Sequence, residues 1–301
     1  MPLPPLLSPP GFGRRLVAHV VAIPLALWLF ASLLGFNVLQ VASLLLVPFS
    51  TRGFRAFNRW AAGVYWGMCV DLGMFVWRIR VESSGDSLPA GENVILLANH
   101  QDMADITFLM FLAHRLGRLG DMKWMLKKGL RWVPGMGWGL SFLDCVFVAR
   151  DWTRDRATIE ATFRHLTTRR IPVWMVSFPE GTRMRPGKLA ASQEYQRGRG
   201  LTPLRHVLMP RTKGFAASVQ GLRGHVDAIC DVTIGYEGGV PTLWQYVKGY
   251  ARVAHLHVRR FPLDSLPDDE PGLSAWLLER FREKDAVLDT FYREGRFPRQ
   301  E

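Results

Sequence analysis

Two short segments of the chain carry residue types suited to acid–base chemistry on an anionic substrate. The first, Asn99-His100-Gln101-Asp102-Met103-Ala104-Asp105, sets a histidine five positions before a carboxylate. The second is Phe178-Pro179-Glu180-Gly181-Thr182-Arg183. A histidine removes a proton from a hydroxyl only if it is neutral, in the right tautomer and held still. A carboxylate on its other ring nitrogen supplies those conditions. A substrate that brings its own hydroxyl then requires no serine or cysteine nucleophile. In the second segment arginine offers a planar fork of donors to phosphate, threonine adds a hydroxyl, and glycine lets backbone approach an anion. Glu180 would hold a basic or hydroxyl group in position. Taken singly, the first segment also fits a surface histidine beside a helix-capping aspartate, and the second a simple β-turn. Together they point to activation of a hydroxyl on a phosphate-bearing substrate.

Both segments sit where secondary structure changes type. Val94–Ala98 is an apolar run suited to a buried strand, ending at Asn99-His100, and residues 106–116 read as a helix with Asp105 at its start. Residues 171–178 repeat the pattern, a strand followed at once by the Pro-Glu-Gly-Thr-Arg loop. Open α/β sheets place their ligand crevice at the carboxyl ends of strands, so this grammar predicts an α/β fold with both segments at one edge. Further strands are expected at 207–209, 228–236 and 252–258, and helices at 214–222 and 273–292, the latter amphipathic. Residues 184–203, rich in Arg, Lys, Gln, Gly and Ser, read as a mobile surface loop.

Before the α/β region, Leu16 to Thr51 holds no Asp, Glu, Lys or Arg and is a membrane segment by hydropathy. One crossing takes about 20 residues and two take about 40, so the run falls between them. A membrane-embedded helical hairpin turning at Gly35-Phe36-Asn37 fits the length, and a single tilted helix is the alternative. Arg14 and Arg15 precede the run, and Arg52, Arg55 and Arg59 follow it, which places both ends on the cytoplasmic side. Phe54 to Arg80 is aromatic and apolar, either an interfacial helix or a core-packing one. Asp71 in its middle argues against a second deep crossing unless that charge finds a partner. Residues 1–80 therefore read as anchor plus interfacial helix, and 81–301 as the α/β domain.

The chain has 301 residues, 48% of them hydrophobic, enough for one sizeable core. Its 38 Lys and Arg against 26 Asp and Glu give a net charge of +12, which attracts polyanions such as nucleic acid or anionic lipid. No helix-turn-helix, zinc or aromatic single-strand signature accompanies that charge, so nucleic acid is not an expected partner. Cys69, Cys145 and Cys230 lack metal or redox spacing and read as inert core thiols; no metal site is expected. Trp124, Trp132, Trp138 and Trp152 form either an interfacial belt or core packing.

Asn-His-x-x-x-x-Asp at 99–105 and Phe-Pro-Glu-Gly-Thr-Arg at 178–183 resemble two signature blocks of the 1-acylglycerol-3-phosphate acyltransferase family of glycerolipid acyltransferases. Lys127-Lys128-Gly129-Leu130, Val133-Pro134, Gly137-Trp138 and Phe147-Val148-Ala149-Arg150 resemble a further block beside the acceptor site. Residues 207–214 resemble a fourth, in the form of the lysophosphatidate and lysocardiolipin acyltransferase branch. The resemblance implies a mixed sheet flanked by helices, and a membrane enzyme that moves a fatty acyl group from acyl-CoA or acyl carrier protein to the free hydroxyl of 1-acylglycerol-3-phosphate. His100 would be the general base and Asp105 its orienting partner. Glu180, Gly181, Thr182 and Arg183 would hold the acceptor phosphate, with Arg150 and Arg211 as helpers. Lys127, Lys128 or a nearby amide would stabilise the oxyanion. No cofactor is implied, and the expected setting is a bacterial inner membrane with the catalytic domain facing the cytoplasm. Gly129 and Met209-Pro210-Arg211 depart from the common family form and bear on acceptor identity. Another lysophospholipid acceptor, or a non-catalytic protein binding anionic lipid, are the alternatives.

Overall fold

A computed structural model describes residues 4–7, 11–149 and 151–297, with the side chains of Arg14 and Trp152 outside that description. Seven strands form one sheet: β1 (Arg80–Gly85), β2 (Val94–Ala98), β3 (Met122–Lys127), β4 (Val146–Val148), β5 (Trp174–Ser177), β6 (Ala228–Tyr236) and β7 (Val253–Pro262). Their order is β1-β7-β6-β2-β5-β3-β4, and every neighbouring pair is parallel except β6 with β7. The expected mixed α/β sheet is thus present. Because β6, β2, β5, β3 and β4 run the same way, the loops that follow them emerge at one edge.

Alternation along the strands explains the two cores. In β2, Val94, Leu96 and Ala98 face one apolar cluster while Ile95 and Leu97 face the other. The first cluster is covered by α2 (Thr51–Phe75) and α3 (Ala104–Arg115), through residues such as Val70 and Phe108. The second is covered by α5 (Trp152–Thr168), α7 (Thr212–Leu222) and α9 (Glu270–Glu294), through Phe163, Val219 and Phe281. A strand buried on both faces needs an unbroken apolar run, which is why Val-Ile-Leu-Leu-Ala lacks a polar residue.

At the N-terminus, α1 (Phe12–Ala42) runs without a break through Gly35-Phe36-Asn37, so no turn forms there. At a rise of about 1.5 Å per residue its length is about 46 Å, sufficient for a tilted span. Residues Arg15–Leu46 are long and apolar enough to cross a membrane, with a mean hydropathy of 2.2 over an 18-residue stretch. A hairpin does exist, but α1 and α2 form it, turning at residues 43–50. Asn58 bonds Ser43 at 2.9 Å, and the Tyr65 hydroxyl donates to Leu29 at 3.3 Å, so the two helices run antiparallel. Asn37, read as a turn residue, instead donates to the Gly135 carbonyl at 2.9 Å and ties α1 to the domain. With no turn at its centre, the apolar run cannot return both ends to one side, and the argument from flanking arginines loses that premise.

Residue 80 is where α2 has ended and β1 begins, yet Ala62 and Val70 of α2 belong to the core under the sheet. Asp71 finds a partner in His114 of α3 at 3.2 Å. Two later expectations fail. Residues 184–203 contain α6 (Pro186–Arg197), started by a proline and held by Leu189 packing on Met184 and Leu208. Residues 207–209 form no strand, because side chains satisfy their amides: Leu208 N donates to Glu180 and Met209 N to Ser192.

Candidate active site

His100 is the second residue beyond the end of β2, and Asp105 lies in the first turn of α3. Asn99 fixes the chain as it leaves β2 by giving and receiving hydrogen bonds with the Ile234 backbone of β6, at 3.1 and 2.8 Å. The chain then turns back so that His100 Nδ1 meets Asp105 Oδ2 at 2.9 Å. The same oxygen accepts the amides of Gln101 at 2.6 Å and Asp102 at 3.0 Å, and Oδ1 accepts the Tyr236 hydroxyl at 2.5 Å. Asp105 is fully buried, and four donors replace the water it has lost. Burial, with Asp105 alongside, pushes the Tyr236 hydroxyl far above its ordinary value, so it stays a donor. An acceptor at Nδ1 puts the ring proton there and leaves the Nε2 lone pair free; no hydrogen bond among the described residues occupies Nε2.

The loop after β5 lies beside this pair because β5 is the parallel neighbour of β2. The Phe178 ring stacks on the His100 imidazole, with centroids 4.1 Å apart and planes 21° from parallel. Gly181 N closes a turn onto the Phe178 carbonyl at 3.0 Å. Gly181 has φ +66°, and a Cβ there would lie 3.0 Å from Arg211 Nε. Only glycine suits both that backbone and the passage of the arginine. Arg183 is exposed and pairs with Asp102 at 3.5 Å, while Asp102 also holds Arg185 at 2.9 Å. Arg183 is thus held against the first motif loop and Arg211 against the second, with Thr182 between Gly181 and Arg183 in the chain.

Glu180 does not join them. It is buried and its oxygens accept backbone amides, His100 N at 2.8 Å and Leu208 N at 3.3 Å. Burial lifts its carboxyl to about 8, so it is largely neutral at pH 7. A buried acceptor closed to solvent cannot bind phosphate. Glu180 instead braces the His100 backbone to the segment that carries Arg211.

Lys127 and Lys128 lie at the carboxyl end of β3, exposed and with no ion pair among the described residues. β5 separates β3 from β2, which places the two strand ends about 10 Å apart on the same edge. Arg150 lies outside the described residues. Trp132 and Trp138 are exposed, whereas Trp124 is buried against Trp66, so the tryptophans divide between surface and core. Sequence reasoning missed Phe178, Tyr236 and Asp102 as members of the site. Phe178 and Asp102 stand inside the two motifs, but Tyr236 is 131 positions from Asp105 and nothing in its neighbourhood signals the contact.

Comparison with known proteins bears on the family and the fold. The family described as Acyltransferase matches residues 80–237, and that described as Acyltransferase C-terminus matches residues 245–301. The 1-acyl-sn-glycerol-3-phosphate acyltransferase 2 of Arabidopsis thaliana is 32% identical, over 95% of this chain and 75% of its own. The 1-acyl-sn-glycerol-3-phosphate acyltransferase gamma of Mus musculus is 35% identical, over 87% of this chain and 71% of its own. The crystal structure of the 1-acyl-sn-glycerophosphate acyltransferase PlsC from Thermotoga maritima shares the fold, with a TM-score of 0.55, 18% identity, and coverage of 92% of this chain and 98% of that one. With its histidine–carboxylate pair at a sheet edge and relatives alike over most of its length, the chain is an acyltransferase and belongs to the 1-acylglycerol-3-phosphate acyltransferase family.

Proposed function

We propose that the enzyme transfers a fatty acyl group from an acyl thioester to the free hydroxyl of 1-acylglycerol-3-phosphate, giving phosphatidic acid. The observation that carries this reading is the His100–Asp105 pair opening beside Arg183 and Arg211, a base next to a phosphate grip. Nε2 takes the hydroxyl proton as the oxygen attacks the thioester carbonyl. Asp105, still ionised, balances the imidazolium that forms. The tetrahedral intermediate places its negative charge on the former carbonyl oxygen, where Lys127, Lys128 or a neighbouring amide would stabilise it. Collapse breaks the carbon–sulfur bond, and the imidazolium returns its proton to the departing thiolate. Thr182, Arg183 and Arg211 hold the phosphate and so fix which hydroxyl reaches Nε2. These steps use the side chains of this chain and the two substrates.

The names of the relatives support lysophosphatidate as acceptor. Acyl-CoA or acyl carrier protein would supply the thioester, and α1 would set the enzyme in a lipid bilayer. For an unbroken span only the difference between its flanks counts, and Arg52, Arg55 and Arg59 outnumber Arg14 and Arg15, which supports a cytoplasmic catalytic domain, as in a bacterial inner membrane. An acceptor panel tests the reading. Purified enzyme, one acyl thioester and lysophospholipids of varied head group are analysed by mass spectrometry of the products. Phosphatidic acid should dominate, and preference for a larger head group would move the activity to another acceptor.

A further inference from the structure

A second concentration of positive charge lies away from the catalytic edge. A cavity of about 220 Å³ opens at the amino-terminal end of β3, between α2, the Leu143-Asp144 turn and the segment joining α5 to β5. Arg52, Arg55, Arg59, Lys123, Arg169 and Arg170 line it, and among the described residues the acids that oppose them there are Asp121 and Asp144. Those two carboxylates are already engaged, Asp121 by Arg59 and Arg118 and Asp144 by Arg55 and His165. Arg52, Arg169 and Arg170 make no ion pair among the described residues.

Lys123 is the informative member. It is 3% exposed and lines the cavity, yet no hydrogen bond or ion pair among the described residues reaches its ammonium. A buried cation that no carboxylate contacts directly is costly, and an anion in the cavity would reduce that cost. Burial lowers the Lys123 pKa, and the through-space attraction of Cys145, Asp144 and Asp121 offsets that only in part. Asp144 and Arg170, with φ of +58° and +48°, are two of three non-glycine residues described with positive φ, and both line this cavity. Such backbone persists where surrounding structure enforces it.

We propose that this cavity is an anion site separate from the catalytic one, taking the phosphate of an anionic lipid headgroup or a free phosphate ion. Its surroundings favour the headgroup. Leu45 and Phe49, at 76% and 87% exposure, project from the turn that ends the apolar run, immediately before Arg52. The cavity thus opens at the end of the candidate span, the level at which headgroups lie.

The test uses the full chain in detergent, always with Arg183→Ala to weaken phosphate binding at the catalytic edge. Phosphatidylglycerol, phosphatidylcholine or inorganic phosphate is added. Native mass spectrometry reads the retained lipid, and thermal unfolding reads the response to phosphate. The background protein should retain phosphatidylglycerol about tenfold better than phosphatidylcholine, an energy difference of about 1.4 kcal/mol. Adding Arg52→Gln with Arg169→Gln, both surface positions, should abolish the preference. Lys123→Met, which replaces the buried cation by an apolar side chain of similar length, should remain folded and also abolish it. A response to phosphate with no lipid preference makes the occupant the free ion. Equal behaviour of all variants and the background protein with both probes overturns the site.

Discussion

The ring of Phe178 lies over the imidazole of His100, centroid to centroid 4.1 Å, joining the two motif loops through a stacked pair. One face of the ring is thereby closed to water and its plane is set, while Asp105 fixes its rotation from the Nδ1 side. Phe178→Ala should leave the chemistry available but the base less well held. The expected result is a fall in kcat of about tenfold, ~1.4 kcal/mol. Phe178→Tyr, which keeps the ring, should recover most of it. Steady-state kinetics on the pair of variants checks the stacking role.

His100→Ala should remove transfer almost entirely, a loss of about 10²- to 10⁴-fold for a missing general base. Membrane association should be unchanged, because α1 and its contacts lie elsewhere. Product formation and membrane fractionation on one preparation decide the matter. Retained turnover removes the histidine from the mechanism.

Tyr236→Phe deletes one of four donors to the buried Asp105 and leaves the ring packed against Phe108. A hydrogen bond to a charged group contributes about 1.5–3 kcal/mol. Part of that should appear as a kcat lowered about tenfold, with the acceptor KM unmoved and the folded state intact by circular dichroism. A changed KM with constant kcat would assign Tyr236 to acceptor binding instead.

Arg183→Ala and Arg211→Ala should each raise the acceptor KM about tenfold or more with little change in kcat, the signature of lost uniform binding. Their double variant should exceed either single one. Varying the phosphorylated acceptor at a fixed thioester concentration measures this, and an unchanged acceptor dependence would count against the phosphate grip.

Glu180 makes stability depend on pH in a stated direction. Its carboxyl titrates near 8 in the folded chain against 4.5 for the ordinary group. Between those values the folded state keeps a proton that the unfolded state releases. The stabilising contribution is complete below the lower value and disappears as pH rises through the upper one. Glu180→Gln cannot ionise, so its Tm should fall less steeply than the parent's from about pH 5 to 9. Its Tm should also start lower, because an amide nitrogen would then face the Leu208 or His100 N–H. Parallel slopes in thermal melts across that range would show that Glu180 does not titrate there.

Much is legible in the sequence alone. A continuous apolar run marks β2 and amphipathic spacing marks α9, because burial on both faces or on one dictates which positions are apolar. The His100–Asp105 pair could be read because its partners are five residues apart, a spacing a turn into a helix closes. Contacts across long sequence separations were not legible. Tyr236 reaches Asp105 only because β6 pairs with β2, and Glu180 becomes a brace only because the fold buries it between two amides. Its charged type suggested an exposed ligand, but burial decides a carboxyl's role and sequence type does not report burial. The anchor shows the same division. An uncharged run of 36 residues, 16–51, announces a membrane segment. Whether Gly35-Phe36-Asn37 turns or stays helical depends on tertiary partners, and Asn37, bonded to Gly135 98 residues away, keeps the helix whole.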